Sequence, residues 1–152
     1  KIIVSFLLFA PSAQTDLQDE FYNILSSNNE IRIDNELDKI KKLKTSNINT
    51  AYIAALQMKK ASFEKILKNK IKLFKTGAAT LETLIGNSPQ NIELRFLRLI
   101  IQENAPQILK YNTNLETDKN LIIDNFKKID TNLQKHIVEY AKKSTILNNL
   151  KL

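Results

Sequence analysis

The side chains best suited to chemistry fall on one stretch, SPQNIELRFLRLIIQENAP, residues 88–106, which holds two of the chain's 3 prolines and two of its three arginines. Asn91, Arg95, Arg98 and Gln102 recur there at i, i+4, i+7 and i+11. On an α-helix that spacing draws one straight polar stripe about 16 Å long. Ile92, Leu94, Phe96, Leu97, Leu99, Ile100 and Ile101 take most of the remaining circumference, as on a central helix enclosed by neighbours. A guanidinium holds a carboxylate or phosphate with two parallel hydrogen bonds and tolerates partial burial better than an ammonium does. The stripe therefore reads in two ways. It is an anion-binding groove, or Arg95 and Arg98 pair with Glu93, Glu103 or acids of neighbouring helices, because charges on a central helix are seldom buried unless paired.

A second candidate is the run KKASFEKILKNKIKLFK, in which Lys59, Lys60, Lys65, Lys68, Lys70, Lys72 and Lys75 face one acid, Glu64. Net of Glu64, this run carries nearly the whole formal charge of +7. An exposed basic face of this kind can meet lipid phosphate, nucleic acid or an acidic partner, or can simply be solvated. Phe63 and Phe74 lie at core positions, so the stacking aromatics that single-strand binding needs are missing and nucleic acid is disfavoured.

Other chemistry is narrowly bounded. With 0 Cys the chain has no disulfide, thiolate nucleophile or cysteine zinc site, and with 1 His it has no histidine ligand pair. We expect no metal and no cofactor. His136 could act as a base only beside a carboxylate such as Asp130 or Glu139. The acidic groups Asp19-Glu20, Asp34-Glu36-Asp38 and Glu116-Asp118 are expected at helix starts or on exposed faces, where they favour the helix dipole.

The elements that must position these residues are helices. Only 2 Gly occur in 152 residues, too few for the turns of a sheet, and no run alternates with period two. The expected fold is all-α, six to seven short antiparallel helices. Thr15-Asp16-Leu17-Gln18 and Thr113-Asn114-Leu115-Glu116 have capping-box spacing, Asn91 and Asp130 or Thr131 suit N-caps, and Gly86 suits a left-handed terminator before Pro89. A turn is expected near Lys68-Asn69, between a helix ending at Phe63 and one carrying Ile71, Phe74, Ala78, Leu81, Leu84 and Ile85.

Lys1, the apolar block Ile2 to Ala10 and the small residues around Ser12-Ala13 have the layout of a secretory signal peptide. The block is too short for a membrane span, which needs about 20 residues. We expect residues 1–13 to be removed and residues 14–152 to form a single helical domain in the periplasm or outside the cell.

The junction TGAATLETLIGNSPQNIELRFLRL resembles the helix-loop-helix joint of tetratricopeptide repeats, with small residues at Gly77 and Ala78, aliphatics at Leu81 and Leu84, then Pro89 and Asn91. The resemblance covers one joint and implies helical hairpins that approach closely. The layout as a whole is also similar to small exported helical proteins of Gram-negative bacteria. The expectation is a non-catalytic scaffold binding an unknown protein or peptide. An anionic-surface binder working through Lys59 to Lys75 is the alternative, with a membrane surface as a possible partner, and a carboxylate-dependent hydrolase comes third.

Overall fold

Four polar side chains start four of the helices. Asn29, Ser46, Asn91 and Asp130 each accept a hydrogen bond from the backbone N–H three residues on, at 2.9 to 3.1 Å. Each satisfies one of the donors that a helix start leaves without a partner. The computed structural model describes residues 13–148. These form α1 (Ala13–Ser26), α2 (Glu30–Lys41), α3 (Asn47–Lys60), α4 (Leu67–Asn87), α5 (Ile92–Asn104), α6 (Leu115–Asn125) and α7 (Thr131–Ala141), with single 3-10 turns at Ala61–Phe63, Gln107–Leu109 and Phe126–Lys128. Among the described residues the chain is all-helical and contains no strand. None of these helices is long and apolar enough to cross a membrane. The expected signal peptide, except for Ala13, lies outside the described residues.

Several local expectations are corrected. The break between α3 and α4 falls at Glu64–Ile66, where Glu64 and Ile66 have extended backbones, and Lys68 and Asn69 lie in the first turn of α4. Packing decides this over the modest helix propensity of asparagine. Ala61 is buried, Phe63 packs on the core, and the apolar face of α4 runs through Phe74, Gly77, Leu81, Leu84 and Ile85. Gly86 is helical and terminates nothing. Ser88 N–H closes the helix on the carbonyls of Leu84 and Ile85, and Pro89 prevents continuation. Neither expected capping box forms. Thr15 lies inside α1, which already begins at Ala13, and the Asn114 side chain bonds Gln102 instead of the start of α6.

Each helix from α1 to α5 packs on the next in the chain, most extensively α3 on α4. A second set of contacts joins α1 to α3 and α3 to α5, and α7 returns to α1. The helix with the widest set of neighbours is thus α3, while α5 is the more enclosed, with Leu94, Phe96, Leu97 and Leu99 at 1% exposure or less. The close α3–α4 contact depends on Gly77. A Cβ there would lie 2.6 Å from the Ala54 carbonyl oxygen and 2.7 Å from Met58 Cγ.

Aromatic rings tie α1, α3, α5 and α7 together. Phe21 stacks on Tyr52 with centroids 3.8 Å apart, Tyr22 stacks on the His136 ring at 4.5 Å, and Phe96 meets Tyr140 edge-on at 5.7 Å. Ring pairs at such spacings add to the stabilisation from their buried area.

Candidate functional site

The side chains of the α5 polar stripe are all bonded to other parts of the chain. Arg98 is 3% exposed and forks onto Asp118 of α6, Nε to Oδ2 and Nη2 to Oδ1, both at 2.7 Å. Its Nη1 donates to Glu82 of α4 at 2.7 Å, and Glu82 also accepts from the Tyr111 hydroxyl at 2.6 Å. Arg95 donates to Asp118 at 3.1 Å and clasps the Pro89 carbonyl with Nε and Nη2. Gln102 exchanges two hydrogen bonds with Asn114, and Asn91 caps α5. These four side chains therefore join α4, the α4–α5 loop, α5 and α6 rather than line an open groove.

The acids that take the arginines are Asp118 and Glu82, not Glu93 or Glu103. Asp118 lies in the first turn of α6, as expected of a helix start, but is fully buried, while Glu36 is 2% exposed in the middle of α2, which corrects its placement at a helix start or on an exposed face. Spacing held the signal for both. Asp118 follows Leu115 by three residues and precedes Ile122 by four, and Glu36 stands in the same relation to Ile33 and Ile40, so each lies on the apolar face of its helix.

The seven lysines of the basic run do not share one face. Lys60 forms an ion pair with Asp34 of α2. Lys68, Lys72 and Lys75 form an exposed row along α4, and Lys65 is exposed in the preceding loop. Lys70 lies on the opposite side of α4 from Lys68 and Lys72, because two residues turn a helix by about 200°. Together with Lys59 it lines a cleft of about 1080 Å³.

That cleft is a broad concavity built from several helices. Its walls come from α1, α3, α5 and α7, with contributions from Lys70 and Phe74 of α4 and from the segment after Asn104. Met58, Phe96, Ile100 and Ile101 contribute its apolar floor, and Lys59, Lys70, Lys135 and Lys143 stand among its polar residues. Apolar and polar side chains share its lining about equally, and its volume reaches the upper end of the roughly 300 to 1,000 Å³ range of small-ligand pockets.

The acids of the cleft are all engaged. Asp19 meets His136 Nε2 at 2.7 Å and Lys135 at 3.3 Å. The partner of His136 is thus Asp19 from the far end of the chain, not Asp130, which caps α7, or Glu139, which pairs with Lys142. Burial holds the imidazole below the usual histidine range against the opposing pull of Asp19. Glu103 accepts from the hydroxyls of Tyr140, Ser144 and Thr145 and from the backbone N–H groups of Thr145 and Ile146. Burial alone would raise its carboxyl, but these donors together hold it below the ordinary range.

Behind the cleft, Glu93 Oε1 accepts from Gln18 Nε2 at 2.8 Å, Tyr52 at 2.5 Å and Tyr22 at 3.3 Å. Gln18 in turn accepts from Asn132 of α7 at 2.6 Å. Burial pushes the Glu93 carboxyl up, with the three donors opposing, and burial likewise raises the Tyr52 phenol out of its titrating range. This network fixes the walls of the cleft relative to one another. Among the described residues no three histidine or acidic side chains converge to hold a metal ion.

No protein-family model, curated protein or solved structure matches the chain.

Proposed function

We propose that the protein is an exported, non-catalytic helical scaffold that holds a peptide or an extended segment of a protein in the cleft between α1, α3, α5 and α7. The observation that carries this reading is the cleft, whose apolar floor includes Met58, a side chain flexible enough to adapt to more than one occupant. The close approach at Gly77 supports the paired-helix architecture that the α4–α5 joint resembles in tetratricopeptide proteins. Export rests on the apolar block Ile2 to Ala10 and the small residues after it.

Ser62 is exposed at the rim, and its hydroxyl bonds only the Lys59 carbonyl one helical turn back. Ser62→Trp should narrow the entrance and leave the core intact. Random peptides displayed on phage should enrich on the wild-type protein, and the enriched peptides should lose binding to Ser62→Trp at an unchanged melting temperature. Absence of enrichment, or equal binding to both proteins, contradicts the reading.

A second reading has its own observation. Lys68, Lys72 and Lys75 form an exposed row on α4 and suit an anionic surface such as lipid phosphate. Binding to phosphatidylserine vesicles that disappears when all three become glutamine is its test.

A further inference from the structure

Lys59 stands at the last turn of α3, on the wall of the cleft and half-buried. Lys70 of α4 and Lys143, just beyond α7, line the same cleft. None of the three forms an ion pair among the described residues, and the charge that acts on Lys59 belongs to another cation, Lys143. No local acid is free to neutralise them, since Asp19, Glu103 and Glu139 already have donors. Lys135, the fourth lysine of the cleft, differs from these three in meeting a carboxylate, that of Asp19.

We propose that Lys59, Lys70 and Lys143 form a carboxylate-binding subsite of the cleft, so that its ligand is an acidic peptide whose Asp or Glu side chains meet these ammonium groups while neighbouring apolar side chains rest on Met58 and Ile101. The inference rests on the peptide-binding reading above. Charge complementarity singles out this occupant. Lys59 and Lys143, the latter 5.6 Å over the Tyr140 ring, repel one another when the cleft is empty, Lys70 adds a third positive charge to its lining, and an anion with an apolar neighbour relieves that repulsion on entry. Burial and the adjacent Lys143 hold the Lys59 ammonium below the usual lysine range, so a bound carboxylate should return it upward. Lysine offers a compact charge that adapts to carboxylates presented at several angles, which suits a flexible chain.

The test uses the full chain and two fixed-length peptide libraries of equal apolar content, one carrying Asp and Glu at the randomised polar positions and the other Asn and Gln. The acidic library should enrich, and binding of the enriched peptides should weaken about tenfold for Lys59→Met and again for Lys143→Gln, each step equivalent to roughly 1.4 kcal/mol. Lys59→Met keeps the aliphatic stem and should melt no lower than the wild type. Affinity should also fall as salt is raised, and the Lys59 Nζ titration followed by NMR should move upward with peptide bound. Enrichment of the neutral library alone, blocked by Ser62→Trp yet indifferent to Lys59→Met, overturns the subsite and leaves the peptide cleft standing. No enrichment from either library overturns both. Binding of phosphatidylserine vesicles, with no peptide bound but the same dependence on Lys59, overturns the peptide ligand in favour of a lipid.

Discussion

At the scale of single residues, the arginines show how composition points to a place without revealing its use. In a lysine-rich chain two guanidiniums on one enclosed helix mark a position where the planar fork matters, and both forks are used internally, on Asp118, Glu82 and the Pro89 carbonyl. Arg98→Met leaves buried Asp118 with Arg95 alone and should lower stability by about 3 to 5 kcal/mol, the range for breaking a buried pair. Arg95→Lys loses the clasp on Pro89 and should cost only about 1 kcal/mol, the net worth of an ordinary hydrogen bond. Urea midpoints of the two variants check the order, and equal midpoints would contradict the pairing described.

The buried carboxyls make a prediction about pH. Glu93 is raised in the folded state, so between its unfolded and folded pKa the native protein binds more protons than the unfolded chain, and stability falls as pH rises through that window. Glu36, raised by burial and by Glu20 against the pull of Lys39, acts in the same direction. Glu103 is lowered and has the opposite sign: its contribution is present above the ordinary glutamate range and is lost as pH falls through the folded value. Melting temperatures measured from about pH 3 to about pH 8, spanning the glutamate range, should therefore show Glu93→Gln flattening the decline on the neutral side and Glu103→Gln flattening the acid limb. Glu93→Gln retains the oxygen that Tyr52, Tyr22 and Gln18 bond, which makes it a test of charge more than of shape. Parallel curves for wild type and Glu93→Gln would remove the charge effect.

Elements were the most legible level. Apolar residues at helical spacing placed α5 and α7 with their caps at Asn91 and Asp130, because both the periodicity and the cap are local. The α3–α4 break was misplaced because Glu64–Ile66 contains no glycine, proline or asparagine to mark it, and tertiary packing of Ala61 and Phe63 sets it. The two glycines separate the local from the tertiary contribution. Gly77→Ala drives a Cβ into the Ala54 carbonyl and should destabilise by about 1 to 3 kcal/mol, as overpacking does. Gly86→Ala meets open space in helical backbone and should stabilise by about 0.5 to 1 kcal/mol. Thermal or urea unfolding of the pair checks this, and the same sign at both positions would contradict the α3–α4 contact. On α5, Phe96→Ala empties a fully buried site and should cost about 3 to 5 kcal/mol in the same assay.

At the scale of the whole molecule, the candidate site was the least legible, because it is assembled from residues far apart in sequence. Lys59 and Lys70 were visible as members of a basic run, but the separation of Lys70 from Lys68, Lys72 and Lys75 requires the register of α4, and the place of Lys143 on the same cleft requires the return of α7 to α1. The pairing of Asp19 with His136 spans 117 positions and leaves no local pattern. Such long-range contacts also explain why the Glu93 network escaped detection. Its donors Gln18, Tyr22 and Tyr52 come from α1 and α3, each an ordinary helix residue in its own segment.

The central claim, that the cleft between α1, α3, α5 and α7 is the binding surface, is tested most directly by mapping an enriched peptide onto the isotope-labelled protein by NMR. Backbone amide shifts should concentrate at Met58, Lys59, Ser62, Ile101 and Lys143 and leave Lys68, Lys72 and Lys75 unmoved. Shifts confined to that outer row of α4, with the cleft amides unchanged, would contradict it.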